Sequence, residues 1–171
     1  MQYWFVESEF LGILRVTFDE TAFGLNGKMN SRLGAIVQID LMHSGKPTKN
    51  VSKESQVFIH QLREYEAGDF QALDKSYVAI TGTEYQKTVL KEMRGIDSGT
   101  VVTYGDLAKL SGRPRAARAV ASVCATNKVP LILPCHRVVP SDLSIGNYAI
   151  RKMKNGSKIK EKLLQHENAL I

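Results

Sequence analysis

The stretch Leu-Ile-Leu-Pro-Cys-His-Arg-Val-Val at positions 131–139 constrains the fold more than any other part of the chain. Its three leading aliphatic residues predict a buried strand that ends at Pro134, because proline cannot continue the hydrogen-bond ladder of a strand. Cys135 would then lie at the end of a rigid element. The sequence therefore predicts a break in the chain that holds a thiol in a fixed position.

Cys135 has two interpretations. A nucleophilic cysteine needs a lowered pKa, because the thiolate is the attacking form, and His136 and Arg137 are neighbours that could supply positive charge. Adjacent side chains point apart on a strand or helix, so a water relay or a sideways contact between Cys135 and His136 is favoured over a direct bond. An inert buried cysteine fits the stretch equally well. The rest of the chain must decide between them.

Composition limits the class of protein. With 171 residues, 43% hydrophobic and 23% charged, the chain is typical of a soluble globular protein of one or two domains. No apolar run approaches the roughly 18 residues of a membrane span, and no signal-peptide pattern is present. The two cysteines, Cys124 and Cys135, form no metal-binding pattern. We expect no metal, cofactor or membrane partner, and an intracellular reducing compartment, nuclear in a eukaryote or cytoplasmic in a prokaryote.

Charge is divided unevenly along the chain. Residues 1–76 contain 8 Lys/Arg and 10 Asp/Glu, whereas residues 77–171 contain 15 Lys/Arg and 7 Asp/Glu. A basic half beside a near-neutral half is typical of nucleic-acid-binding proteins. A solvated lysine face, particularly over residues 151–162, is the alternative.

The first half shows strand and helix patterns without a catalytic set of residues. Gly12–Asp19 and residues 35–41 have the composition of strands. Residues 53–67 have apolar positions at helical spacing, and Gly68 follows as a helix terminator. Residues 1–76 are therefore predicted to form a structural α/β domain.

The second half shows several helix starts. Thr83 and Gln86 have the spacing of a capping box. A short helix is predicted from Tyr104, and a glycine-bearing turn leads to a second helix that Pro114 would begin and that runs to about Ala125. Two short helices joined by such a turn have the outline of a helix-turn-helix.

The second of these helices has two different faces. Val120, Val123 and Cys124 fall on one face and are predicted to be buried. The opposite face carries Arg118 among small residues, namely Ala121, Ser122 and Ala125. A major-groove reading helix usually carries several long polar side chains, so this face suits the minor groove with one side chain inserted into the base stack. An alanine-rich packing helix fits the pattern equally well.

Pro134–Val139 resembles the active-site signature of the O6-alkylguanine-DNA alkyltransferases, also called methylated-DNA–protein-cysteine methyltransferases. Further similar segments follow in the family's order: residues 102–108, 115–120, Asn127, 146–148 and 166–167. The likeness is strong over 77–171 and fainter over 1–76. It implies an α/β (α+β) fold, with a ribonuclease-H-like N-terminal α/β domain and a mostly helical C-terminal domain with a helix-turn-helix, which binds DNA and transfers the alkyl group.

The resemblance also implies catalytic roles. Cys135 would accept the alkyl group, and His136 would act through a water as the base, oriented by Glu167. Asn127 would brace the turn that holds the site. Tyr104 would help rotate the target nucleotide out of the duplex and donate a proton to the departing guanine. Rotating the base out is the general solution for enzymes that act on bases.

DNA-contacting and base-binding residues follow from the same resemblance. Arg118 would fill the gap in the stack, from a helix in the minor groove. Other expected DNA contacts are Arg115, Ala116, Ala117, Ala119, Ala121, Arg137 and Ser141. The base pocket would be formed by Pro130, Val138, Tyr148, Ala149 and Ile150. The implied partner is double-stranded DNA containing O6-alkylguanine, bound by a monomer.

The resulting hypothesis is direct DNA repair in a single turnover. A thiolate that displaces guanine forms a thioether, which water does not readily hydrolyse, so one protein would be consumed per lesion. One alternative is a non-enzymatic alkyl-lesion binder, but such relatives lack the acceptor cysteine, and Cys135 is present. A second is a helix-turn-helix regulator, which would need a dimer-forming segment and long polar residues on its reading helix.

Overall fold

A computed structural model describes residues 1–22, 34–42, 44–49, 51–148 and 155–169. The chain forms two compact units, 1–80 and 81–171. The boundary thus follows Ile80, close to the expected end of the first domain at residue 76. The separate roles of the two units remain predictions.

The first unit contains a three-stranded antiparallel sheet in the order β1-β2-β3, made of Gln2–Ser8, Gly12–Asp19 and Ala35–Met42. Side chains of β2 alternate between the core and the other face, with Leu14 and Val16 wholly buried. Both predicted strands are confirmed.

Helix α1, Lys53–Glu66, follows the sheet. Ser52 caps it by accepting a hydrogen bond from the Ser55 amide at 3.3 Å, and the apolar face buries Phe58, Leu62 and Tyr65. The chain leaves the helix through Gly68, whose φ of 103° lies in the left-handed region that favours glycine. The helix and its terminator are as predicted, and the mixed α/β class is confirmed.

The second unit is mostly helical. It contains α2 (Glu84–Arg94), α3 (Tyr104–Leu110), α4 (Ala117–Ala125) and α5 (Gly156–His166). Two short strands, β4 (Val102–Thr103) and β5 (Val138–Val139), pair in parallel. Among the described residues, no helix is both long and apolar enough to cross a membrane.

Helix α2 begins at the predicted capping box. The Thr83 side chain accepts from the Gln86 amide at 3.3 Å, and the Gln86 side chain accepts from the Thr83 amide at 2.8 Å. These two reciprocal bonds satisfy amides that the first helical turn leaves without partners.

Helices α3 and α4 form the predicted helix-turn-helix outline, with one correction. Helix α4 begins at Ala117 and not at Pro114. The Ala116 amide donates to the Arg113 carbonyl at 2.9 Å and closes a β-turn, in which Pro114 occupies the second position. The fixed φ of proline suits that position as well as the start of a helix, so the residue type alone could not distinguish the two.

The predicted strand before Cys135 is absent. Leu131, Ile132 and Leu133 are buried, as expected, but they form turns, and Leu131 has a φ of 73°. A left-handed leucine cannot continue a strand. The strand of this region is β5, on the other side of the cysteine. A short apolar run is compatible with any buried backbone, which is why periodicity misassigned it.

Candidate active site

Cys135 opens a single turn of 3-10 helix, Cys135–Arg137. Its amide donates to the Leu133 carbonyl at 2.8 Å, and the Arg137 amide donates to the Pro134 carbonyl at 2.9 Å. The Val138 amide donates to the Cys135 carbonyl as the turn ends. The thiol is therefore held by a tight hydrogen-bonded turn, not by the end of a strand. Residues 127–138 are called the cysteine turn below.

Asn127 joins the backbone of the cysteine turn to the thiol. Its Nδ2 donates to the Leu133 carbonyl at 2.7 Å and to Cys135 Sγ at 3.1 Å, while its Oδ1 accepts from the Val129 amide at 3.0 Å. One amide side chain thus uses both its donor and its acceptor groups here. The structure places Asn127 where the bracing role would require it.

A buried network of hydrogen bonds begins at the residue that follows Cys135. His136 Nε2 is 3.0 Å from Glu167 Oε1, and the Arg137 guanidinium donates to both Glu167 oxygens at 2.8 Å. His136 is wholly buried, and Glu167 and Arg137 are 2% and 4% exposed. Such a carboxylate is stable away from water only when its charge is paired and its oxygens accept hydrogen bonds.

The expected DNA contact of Arg137 is wrong. Its guanidinium is buried, pairs with Glu167 and also donates to the Ile96 carbonyl at 2.6 Å. It cannot reach a phosphate outside the protein without breaking this pair. The Arg137 charge instead compensates the buried Glu167 carboxylate, with which it forms an ion pair.

The protonation states of the network follow from its surroundings. Burial would raise the Glu167 pKa, but the hydrogen bonds that His136 and Arg137 donate, together with the Arg137 charge, outweigh it and hold that pKa below its ordinary value. Burial lowers the pKa of His136 more than Glu167 raises it. The imidazole is therefore neutral at neutral pH, and Nε2 carries the hydrogen that Glu167 accepts. Its Nδ1 is buried without a hydrogen-bond partner among the described residues, so it can accept a proton.

The Cys135 thiol is protonated at rest. Burial raises its pKa, against the opposing effects of the Asn127 hydrogen bond, the Lys160 charge and a hydrogen bond from Tyr148. A base and a compensating charge are thus needed before the sulfur can attack.

The thiol opens on a cavity of about 370 Å³, within the range of small-molecule sites. Its other described lining residues are Tyr104, Ala121, Cys124, Ala125, Pro140, Gly146, Asn147 and Tyr148. Burial, with smaller effects from Cys124 and Cys135, raises the pKa of Tyr104 to about 12. This hydroxyl therefore remains a proton donor at neutral pH.

Tyr148 closes one side of the cavity. It is buried, and its ring lies 6.3 Å from the His136 imidazole in an edge-on arrangement. Helix α5 begins close against it, because a Cβ at Gly156 would overlap the Tyr148 carbonyl. Glycine at this position lets α5 and the cavity wall approach each other.

Lys160 is a site residue that sequence reasoning missed. It is wholly buried on α5, and its Nζ donates to the Val138 carbonyl at 2.7 Å. A solvated lysine face over residues 151–162 is one alternative that the sequence leaves open, and Lys160 does not fit it. A signal was nevertheless present, because Lys160 precedes Leu163 and Leu164 by three and four positions and so shares their buried stripe.

The remaining predicted residues are placed as follows. On and before α4, Val120, Val123 and Cys124 are buried as predicted, while Arg118, Ala119 and Arg115 are exposed and Ala116, Ala117 and Ala121 are partly buried. Ser141 is exposed. Pro130 and Val138 are buried but are not among the described lining residues of the cavity. Ala149 and Ile150 lie outside the described residues. No group of three or more potential metal ligands occurs in the described part of the chain.

Known proteins are similar to this chain in sequence and in fold. The family model for the DNA binding domain of 6-O-methylguanine DNA methyltransferase matches residues 84–169, about half of the chain. A methylated-DNA–protein-cysteine methyltransferase of Shigella flexneri is 40% identical over 111 residues, which cover 65% of this chain and 62% of that protein. The chain therefore spans less than two thirds of that relative's length.

Two further relatives cover more of the chain. A methylated-DNA–protein-cysteine methyltransferase of Salmonella typhimurium is 33% identical over 165 residues, covering 94% of this chain and 92% of that protein. The crystal structure of Mycobacterium tuberculosis O6-methylguanine methyltransferase superposes with a TM-score of 0.74 at 24% identity, covering 98% of this chain and 92% of that one. This last similarity shows a shared fold.

Proposed function

Because this chain belongs to the 6-O-methylguanine DNA methyltransferase family, we propose that it repairs DNA by transferring an alkyl group from guanine O6 to its own Cys135. The observation that carries the proposal is the cysteine turn itself. It presents a braced thiol to a cavity and holds, at the next residue, a neutral imidazole that is paired with a carboxylate. A purely structural cysteine needs none of these features.

DNA would be bound by the helix-turn-helix, with α4 in the minor groove. Exposed Arg118 stands among small residues there, so this face can approach a duplex closely. The damaged base would rotate out of the stack into the cavity beside Cys135, and Arg118 would occupy the space it leaves.

The chemical step then requires one proton to leave the thiol and one to reach guanine. His136 Nδ1 would take the thiol proton through a water, and Glu167 would stabilise the imidazolium that forms. The thiolate attacks the alkyl carbon, an S–C bond forms, and the C–O bond breaks with its electron pair left on guanine. Tyr104, whose hydroxyl is protonated at neutral pH, would donate the proton that neutralises the departing base.

The product sets the stoichiometry. The thioether on Cys135 has no leaving group that water could displace under mild conditions, so each protein molecule would act once. We propose a monomer acting on double-stranded DNA in a reducing intracellular compartment, where Cys135 stays a free thiol.

Intact-protein mass spectrometry after mixing with an O6-methylguanine duplex tests the proposal. We expect a gain of one methyl group per protein, mapped by peptide analysis to Cys135, and an equal amount of repaired guanine. Binding of the duplex without any mass gain would instead identify a non-enzymatic lesion binder. Repaired guanine in large excess over protein would contradict the single-turnover mechanism.

Arg118→Ala is expected to slow transfer from duplex DNA at least ~10-fold, because filling the vacated stack offsets part of the few kcal/mol that unstacking costs. Reaction with a free O6-alkylguanine base, which needs no rotation, should be unchanged. Single-turnover rates measure both reactions, with saturating DNA for the duplex and with the free base alone for the other. Arg115→Ala is the matched control: this exposed arginine precedes α4 and is expected to contact phosphate, so its loss should weaken binding without changing the saturated rate. Equal losses on duplex and free base would exclude the proposed role.

A further inference from the structure

Lys160 is buried, and no carboxylate of the described residues pairs with it. Its side chain has no exposed surface, and the hydrogen bond shown for its Nζ is the one donated to the Val138 carbonyl at 2.7 Å. A carbonyl oxygen accepts a hydrogen bond but does not neutralise a positive charge. Burying an ammonium group in this way is costly, so its retention calls for a counter-charge.

The charged groups around Lys160 leave few candidates for that counter-charge. Glu167, the buried carboxylate of this unit, is already shared by His136 and Arg137. Glu161, next to Lys160 on α5, is exposed. Tyr104 lines the cavity as a neutral phenol at neutral pH.

The two cysteines are the remaining candidates for the counter-charge. Cys135 is the one that backbone hydrogen bonds through Val138 connect to Lys160. The Val138 amide donates to the Cys135 carbonyl, and the Val138 carbonyl accepts from Lys160. Helix α5 packs directly on the turn that carries Cys135. Cys124 lines the same cavity from the buried face of α4.

We propose that Lys160 is the counter-ion of the Cys135 thiolate. The inference rests on the proposed function only in treating Cys135 as the reacting group. When the thiol proton passes to His136, two ion pairs result: the thiolate with Lys160, and the imidazolium with Glu167. Neither new charge is then left alone in the interior, which lowers the free energy of the charge-separated state.

The electrostatics of both groups agree with this pairing. Burial lowers the pKa of Lys160 to about 8, and the charges of Cys135 and Cys124 act in the opposite direction. Reciprocally, the Lys160 charge lowers the pKa of the Cys135 thiol against the effect of burial. Lys160 is therefore a positioning residue that acts through the ionisation of the thiol.

The same lysine also fixes a backbone group at the site. A carbonyl oxygen has two lone pairs, and Lys160 occupies one at Val138. Charge and hydrogen bonding can be separated experimentally, because glutamine retains a donor but carries no charge.

All proteins in the test carry Cys124→Ala, so that Cys135 is the one cysteine left. The test compares Lys160→Gln and Lys160→Met with the Cys124→Ala protein that keeps Lys160. The rate at which iodoacetamide alkylates Cys135, followed by peptide mass from pH 5 to 10, reports the thiolate fraction. We expect both variants to shift the midpoint upward by about one pH unit, which is ~10-fold slower alkylation at pH 7. Lys162→Met, an exposed lysine on the same helix, should leave the midpoint unchanged. An unchanged midpoint in Lys160→Gln would overturn the proposal.

Failure of the repair function is separable, since a chain that accepts no methyl group from DNA could still show the shift in the reactivity of the Cys135 thiol.

Discussion

Cys135→Ala is expected to abolish methyl transfer completely while leaving DNA affinity nearly unchanged. The substitution removes the sulfur that lines the cavity and accepts a hydrogen bond from Asn127, so the acceptor is lost. DNA binding should survive, because Cys135 is only 7% exposed and Asn127 keeps its hydrogen bond to the Leu133 carbonyl. Intact-protein mass measures transfer, and fluorescence anisotropy with a lesion duplex measures affinity.

Cys124→Ala is the matched control, because Cys124 is the second cysteine that lines the cavity and is also buried. Burial, reinforced by the charge of Cys135, raises the pKa of Cys124 well above its ordinary value, so its thiolate is scarce at neutral pH. We expect this variant to gain one methyl group at close to the original rate. If Cys135→Ala still gains a methyl group, or if Cys124→Ala gains none, the acceptor is Cys124 and not Cys135.

Helical periodicity was sufficient where one face of an element is buried and the other is not. Periodicity assigned Val120, Val123 and Cys124 to the buried face of α4. A separate signal, the spacing of Thr83 and Gln86, located the capping box of α2. Periodicity failed over residues 131–133, where every side chain is buried and no alternation remains to distinguish a turn from a strand.

The active site exceeds what local pattern can predict, because its contacts join distant parts of the chain. His136 and Glu167 are separated by 31 positions, and only the family resemblance brought them together before the structure did. Arg137 shows the reverse error, since the resemblance implies a DNA contact for a guanidinium that is paired with Glu167 in the interior. Composition gives Lys160 no role in the site, whereas its position three and four residues before Leu163 and Leu164 indicates burial.

Glu167→Gln is expected to destabilise the protein by about 3–5 kcal/mol at neutral pH, since removing one partner of a buried ion pair leaves the other charge uncompensated. Arg137 would keep its hydrogen bond to the Ile96 carbonyl but lose the carboxylate that neutralises it. Urea unfolding measures the change. Glu161→Gln, an exposed glutamate on α5, should alter the free energy of unfolding by no more than about 0.5 kcal/mol.

The pH dependence of stability distinguishes loss of the charge network from a general packing defect. In the native protein the pKa of His136 is below 6.5, so unfolding takes up a proton and stability falls as the pH drops below about 6.5. The pKa of Glu167 is likewise below 4.5, so the stability it contributes is present above that pH and is lost in stronger acid. Glu167→Gln should keep the first loss and reduce the second. A variant that is destabilised equally at every pH would show that Glu167 acts through its shape and not its charge.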